Sequence, residues 1–395
     1  MIHGLKSAFK KIDTVIFDAD GVITTESEYW LSAELTILEI LYSGQWIGLR
    51  EDIYQIALHK PGRPVVIGRF VQPDFTERLK ARGIVSNWDM TYFCCALFLL
   101  ELLRRIDPAD RPKEIAGGGF TAENIQALGR AISDRSPNLP KVEALGKDFF
   151  DVADRLRAGG ARAGYTSLVA ALNDRAEKKC GCEEPVFSTA ADPLWQTCRT
   201  LFQEWYLGDD LFRVKHGEKL SKLAKDGLVR FETPIVPLGR LIDIMSMLRE
   251  ANITLGIGTG RPRVEIITPL ANWGLLNFLS SSRISTNREI SEAERHLEKT
   301  GSKKSLAKPH PYVFLKALYP KKPPAEILGM PLPLPDGERV LVVGDTVADI
   351  AAAKAMGAQS AAVLSSVKNL ERAASIKDME PDYILSDVTA IKNLF

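Results

Sequence analysis

The strongest constraint on the fold is a short apolar run that occurs early and finds its counterparts only late. Residues 13–17 (Asp-Thr-Val-Ile-Phe) end at Asp18, and Ala19-Asp20-Gly21 follows. A β-branched run of this length reads as a buried parallel strand when helices follow it. The same texture returns at 253–257, ending in Gly258-Thr259-Gly260, and at 340–343, ending in Gly344-Asp345. Further short strands are expected at 360–364 and 382–385. Between them lie helical patterns at 237–251, at 309–318 with Pro near its start, and at 349–356 closed by Gly357. Strands alternating with helices imply βαβ units. The expected fold class is α/β, a doubly wound and mostly parallel sheet.

The stretch between the first run and the later ones lacks that alternation. Helical patterns succeed one another at 29–42, 91–106, 122–132, 165–176 and 193–206, separated by polar or Gly/Pro-rich segments such as 116–119, 136–140 and 180–193. The reading is an inserted all-helical domain over 26–233, about 200 residues and within the normal domain range. The core is then built from 1–25 and 234–395. Crossings near 22–28 and 228–236 give the anatomy of a hinge. Its aromatics (Tyr29, Trp30, Trp46, Trp88, Trp195, Trp205, Tyr206) read as core at helical spacing, with pocket lining as the alternative.

Charge narrows the classes of partner. Lys plus Arg is 51 against 50 for Asp plus Glu, a formal net charge of +1. That balance argues against a broad nucleic-acid or acidic-membrane footprint. The five cysteines are odd in number and lack a disulfide-framework spacing, which suits a reducing compartment. Cys180-Gly-Cys182 has no second ligand pair, and His59, His216, His296 and His310 show no ligand spacing. The N-terminus does not read as a secretory leader. The longest apolar stretch, 90–103, falls short of the ~20 residues of a bilayer span. The expectation is a cytoplasmic protein that does not enter a membrane and has room for a homo-oligomer.

Four segments end an expected strand or open an expected helix, and in an open α/β sheet ligands bind beyond the carboxyl ends of the strands. The first is Asp18-Ala19-Asp20-Gly21, two carboxylates before a sharp turn; the bland alternative is a solvated Asp-Gly turn. The second is Gly258-Thr259-Gly260-Arg261-Pro262, a hydroxyl and backbone N–H groups that suit phosphate oxygens. A dinucleotide loop is the competitor, but no acidic residue stands at 275–283. The third is Lys308-Pro309-His310-Pro311, a cation able to neutralise a phosphate or an exposed lysine before a helix. The fourth is Gly344-Asp345-Thr346-Val347-Ala348-Asp349, two carboxylates four residues apart, which suit Mg²⁺ or else cap the helix that follows.

Together, DADGV, GTGRP, KPHP and GDTVAD resemble the four motifs of the haloacid dehalogenase (HAD) superfamily. The resemblance implies a role for each position. Asp18 would be the nucleophile that forms an aspartyl-phosphate. Asp20 would be the general acid and then the base, its backbone carbonyl touching the metal. Thr259, with the neighbouring N–H groups of Gly260 and Arg261, would bind the phosphoryl group of the substrate. Lys308 would pair with Asp18 and the phosphoryl group. Mg²⁺ would be held by Asp18, Asp20, Asp345 and Asp349. Asp20 favours phosphate-ester chemistry, since relatives that cleave carbon–halogen or carbon–phosphorus bonds lack this acid. The expected activity is hydrolysis of a phosphate monoester of a small metabolite, with the helical insert as lid. The alternatives are a phosphomutase of the β-phosphoglucomutase type and a non-catalytic binding or assembly protein that works through the insert.

Overall fold

The structure, a computed structural model, describes residues 12–58, 63–64, 70–84, 86–156, 163–367 and 370–395. The first eleven residues, read above for a leader, and His59 lie outside the described residues. The chain divides into two compact units, Met1–Glu26 with Glu232–Phe395, and Ser27–Phe231.

The first unit is a six-stranded, all-parallel sheet. Its strands are β1 (Thr14–Phe17), β2 (Thr254–Gly258), β3 (Ile284–Ser285), β4 (Val340–Gly344), β5 (Gln359–Val363) and β6 (Tyr383–Leu385), in the order β3-β2-β1-β4-β5-β6. The doubly wound α/β class expected from the alternation is the observed one. β1 lies between β2 and β4, with Phe17 opposite both Ile257 and Val343. Three strands therefore end at one level, and the chain leaves β1 toward the opposite side of the sheet from β4. This is the switch point at which open α/β sheets bind ligands.

Every residue of β1 and β4 is buried. Val15 and Phe17 pack on one face with Leu255, Ile257, Leu341 and Val343, under Leu241, Met245 and Leu248 of the helix Leu238–Glu250. Ile16 points the other way and meets Val340, Val342, Tyr312 and Phe314. Period-two alternation with apolar residues on both faces is what a parallel strand covered by two helical layers requires.

Local chemistry sets the helix ends. Thr346 caps the helix Val347–Met356 in a reciprocal box with Asp349, and Gly357 closes it in the left-handed region. Asp349 is thus the third residue of the helix rather than its first, as the expected span of 349–356 had it. The helices Arg263–Asn272 and Asn287–Lys299 add to the expected elements.

The second unit is helical. Its long members are Ser27–Tyr42, Asn87–Arg105, Ala163–Cys180 and Pro193–His216. Tyr29, Trp46, Trp205 and Tyr206 are buried, and Tyr29 stacks on Tyr206 with ring centroids 4.5 Å apart. Trp30, Trp88 and Trp195 are half-buried. Pro193–His216 breaks at Gly208, whose φ is 76°. A Cβ there would meet the backbone of Asp226 and Gly227 at 2.7 Å, so only glycine fits. A fully buried Lys225 pairs with Glu39 at 2.8 Å and Glu204 at 2.9 Å, and its ammonium lies 4.6 Å from the Trp205 ring centre. Among the described residues no helix is long and apolar enough to cross a membrane.

Candidate active site

The site grows from the end of β1. Asp18 is the first residue beyond the strand, and its N–H continues the ladder by donating to the Val343 carbonyl at 2.8 Å. Its side chain is buried, and Oδ1 accepts from the Ala19 N–H at 2.7 Å and from Lys308 Nζ at 2.6 Å. The same ammonium lies 2.8 Å from Asp349 Oδ1. Lys308 therefore bridges a carboxylate after β1 and one on the helix that follows β4. Its position 4.9 Å from the centre of the Phe314 ring gives the cation an aromatic face as well.

The loop after β4 brings in Asp345. Ser366 Oγ donates to its Oδ2 at 2.6 Å and Arg372 Nη2 at 2.9 Å. Asp349 Oδ2 accepts from the Thr346 N–H at 3.1 Å and from its hydroxyl at 2.6 Å. Asp18, Asp345 and Asp349 each present a carboxylate oxygen, and these atoms lie within 4.8 Å of one another. All three residues are buried.

Such a cluster is electrostatically unfavourable by itself. Burial drives the Asp18 carboxyl well above its ordinary range; Lys308 pulls it back, while Asp349, Asp20 and Asp345 push it further up. Burial raises Asp345 to about 7, against the pull of Arg372. For Lys308, burial favours the neutral amine, but Asp18 and Asp349 outweigh it and hold the ammonium above its usual range. With all three carboxylates ionised, Lys308 and Arg372 leave one net negative charge. Hard, buried oxygen donors at this spacing with an excess of negative charge fit a divalent cation.

The other expected residues fall into two groups. Thr259 is fully buried just past β2, and Gly260 beside it is exposed. Asp20 and Arg261 form the second group. The Asp20 carboxylate is not part of the acidic triad: its Oδ1 accepts from Arg261 Nε at 2.9 Å. Arg261 is buried, its N–H donates to Thr259 Oγ1 at 3.1 Å, and its guanidinium also reaches Glu232 Oε1 at 3.0 Å and Thr24 Oγ1 at 2.9 Å. The backbone and side-chain donors of Arg261 are thus engaged by the protein. A guanidinium among two carboxylates and a hydroxyl has more to gain inside than at the rim.

Four participants escaped the sequence reading: Ser366 and Arg372 on Asp345, and Glu232 and Thr24 on Arg261. None belongs to a motif. Glu232 stands at the second chain crossing, which is the only signal that could have drawn attention to it.

The site is thus a carboxylate after the first strand of a parallel α/β core, bridged by a lysine to another member of its acidic triad. Residues 305–391 match the family model described as HAD-hydrolase-like. Among solved structures, an X-ray structure of a Northeast Structural Genomics Consortium target is 23% identical with a TM-score of 0.77, covering 97% of this chain and 98% of that one. That likeness is one of fold. A haloacid dehalogenase-like family hydrolase from Streptococcus pneumoniae is 12% identical with a TM-score of 0.39, covering 97% and 98%. A candidate HAD-hydrolase from Bacillus subtilis, solved bound to magnesium, is 15% identical with a TM-score of 0.36, covering 98% and 99%. No curated protein matches the chain.

Proposed function

We propose that this protein is a HAD-like hydrolase, a Mg²⁺-dependent phosphatase that cleaves the phosphate monoester of a small metabolite through an aspartyl-phosphate. The observation that carries the reading is the Asp18–Lys308–Asp349 bridge, with contacts of 2.6 and 2.8 Å, set against the Asp18–Asp345–Asp349 triad. Phosphoryl transfer needs positioning and charge stabilisation more than covalent ingenuity, and this cluster offers both.

Asp18 is the nucleophile. Its Oδ1 is oriented by the Ala19 N–H and Lys308, and Lys308 partly offsets the rise that burial imposes on its carboxyl. The Lys308 ammonium also neutralises oxygens of the phosphoryl group. Asp20 donates a proton to the leaving oxygen and later takes one from water. The Thr259 hydroxyl and the Gly260 N–H bind phosphoryl oxygens. The groups that would hold Mg²⁺ are Asp18, Asp345 and Asp349, with the backbone carbonyl of Asp20; when bound, the ion supplies charge neutralisation for the nucleophile and the phosphoryl oxygens.

The test is a panel of phosphate monoesters (sugar phosphates, nucleotides, phosphorylated acids) assayed with Mg²⁺ for free phosphate. Asp18→Asn is nearly isosteric, so it should keep the fold and lose about three or more orders of magnitude in turnover. An Asp18→Asn protein that hydrolyses an aryl phosphate at the wild-type rate refutes the nucleophile assignment. Phosphate release that needs no bisphosphate activator separates hydrolysis from a mutase.

A further inference from the structure

The best-defined unexplained feature of the core is the environment of Arg261. Its side chain is 2% exposed. Nε and Nη2 both donate to Asp20 Oδ1, at 2.9 and 2.5 Å. Nη1 donates to Glu232 Oε1 at 3.0 Å and to the Glu265 carbonyl at 3.4 Å; Nη2 also reaches Thr24 Oγ1 at 2.9 Å and the Thr25 carbonyl at 3.4 Å. The Thr24 hydroxyl adds a 3.4 Å contact to the same Asp20 Oδ1. Every described contact of the Asp20 carboxylate therefore falls on one oxygen. The side chain of Asp20 is 30% exposed.

We infer that Arg261 is a positioning residue for Asp20: it pins Oδ1, which leaves Oδ2 as the oxygen that carries the proton. The inference rests on the phosphatase reading and says how its acid is aimed. In the first step an Asp18 oxygen bonds to phosphorus and the bond from phosphorus to the alcohol oxygen breaks. The alcohol oxygen keeps the electron pair and takes the proton from Asp20 Oδ2. In the second step a water oxygen bonds to phosphorus, its proton goes to Oδ2, and the bond to Asp18 breaks with its pair returning to the carboxylate. A carboxyl free to rotate would present either oxygen, whereas one held by a bidentate guanidinium presents one.

Glu232 fixes the other side of the fork: the guanidinium is shared with this second carboxylate, buried with 6% exposure, so Arg261 is held from two directions. The cluster also gathers residues from both chain crossings, since Thr24 and Thr25 follow β1 while Glu232 and Thr233 precede the helix Leu238–Glu250. Thr25 and Thr233 are joined by a backbone bond of 3.0 Å and a hydroxyl contact of 3.0 Å.

The test uses leaving groups that differ in their need for an acid. Nitrophenolate departs readily without a proton, whereas an alkoxide does not. In the full-length protein with Mg²⁺, Arg261→Lys and Arg261→Met should lower kcat on an alkyl phosphate about 10- to 100-fold more than on p-nitrophenyl phosphate, within the span of general-acid effects. KM should change little, and lysine should retain more activity than methionine. In an Asp20→Asn background the same Arg261 changes should cost nothing further on the alkyl ester. The ratio of the two substrates is independent of the folded fraction, so it remains readable if Arg261→Met folds poorly. Equal losses on both substrates, or losses that add to those of Asp20→Asn, overturn the inference. A wild-type protein inactive on both esters overturns the phosphatase reading itself.

Discussion

Replacing Lys308 by methionine removes one cation and leaves two buried carboxylates facing each other. Asp18 is 6% exposed and Asp349 is fully buried, and both lie within 3 Å of Nζ, at 2.6 and 2.8 Å. At an effective dielectric constant of about 20, each contact is worth about 6 kcal/mol before the cost of burying Lys308 is subtracted. Removing one partner from a buried pair costs about 3–5 kcal/mol in practice, because the remaining charge is stranded. For a unit of this size, about 2–4 °C accompanies each kcal/mol, so Tm should fall by about 6–20 °C at pH 8. The fall should shrink toward pH 5. Without Lys308 the Asp18 carboxyl loses the group that pulls it back against burial, so it takes up a proton more readily, and protonation relieves the repulsion. The variant recovers about 1.4 kcal/mol per pH unit wherever its native state binds one proton more than the wild type does. Differential scanning calorimetry in the metal-free state at pH 5 and pH 8 measures both effects, and turnover should drop about 10²- to 10³-fold. An unchanged Tm at pH 8, or a loss equal at the two pH values, refutes the charge argument.

Two further outcomes follow from the same geometry. The Asp345 carboxyl is raised to about 7 in the metal-free protein, so between its ordinary value of 3.8 and about 7 the native state holds a proton that the unfolded chain lacks. Metal-free stability should therefore fall as pH rises through that window, and a divalent cation must displace the proton; Mg²⁺ affinity by titration calorimetry should rise about tenfold per unit from pH 5 to 7, and a flat profile contradicts it. Gly21 has a φ of 70°, and a Cβ there would run into the Asp345 carboxylate and lie 2.8 Å from Ser366 Oγ. Gly21→Ala should cost about 1–3 kcal/mol and weaken Mg²⁺ binding together; full metal affinity in a folded Gly21→Ala protein would show that Asp345 is not a ligand.

The parts of this fold that were legible in the sequence are those where one physical cause dominates. A strand buried on both faces is β-branched or apolar throughout, so β1 and β4 stand out as Thr-Val-Ile-Phe and Val-Leu-Val-Val. Elements whose burial is slight carry no such mark. Asn287–Lys299 buries only Ile290 and Ala293 among eleven other residues that are half-buried or exposed, and β3 has two residues. The acidic triad was legible because its members sit at strand and helix ends, where backbone geometry fixes their direction. Arg261 was not, for the opposite reason. A long flexible side chain in a turn can reach the rim or fold back, and the choice is made by Glu232 and Thr24, whose proximity only the folded chain reveals.

That difference accounts for how the core distributes its cations. Lys308 has its ammonium between Asp18 and Asp349, Arg372 meets Asp345, and Arg261 meets Asp20. Every carboxylate with a proposed task meets a cation, and the two kinds of cation are not interchangeable. Lys308 must serve two carboxylates now and phosphoryl oxygens later, which suits a compact point charge whose three donors rotate. Arg261 must hold a single oxygen of Asp20 in one direction, which suits a planar fork. Exchanging the two residue types, Lys308→Arg together with Arg261→Lys, conserves every charge in the site. On electrostatics alone it should be harmless. If donor geometry is what separates the roles, the double variant should lose activity on alkyl phosphates at least as severely as Arg261→Lys alone, with its Mg²⁺ affinity largely retained because Asp345 and Arg372 are untouched. Wild-type turnover in the exchanged protein would mean that charge alone, and not the shape of the cation, organises this site.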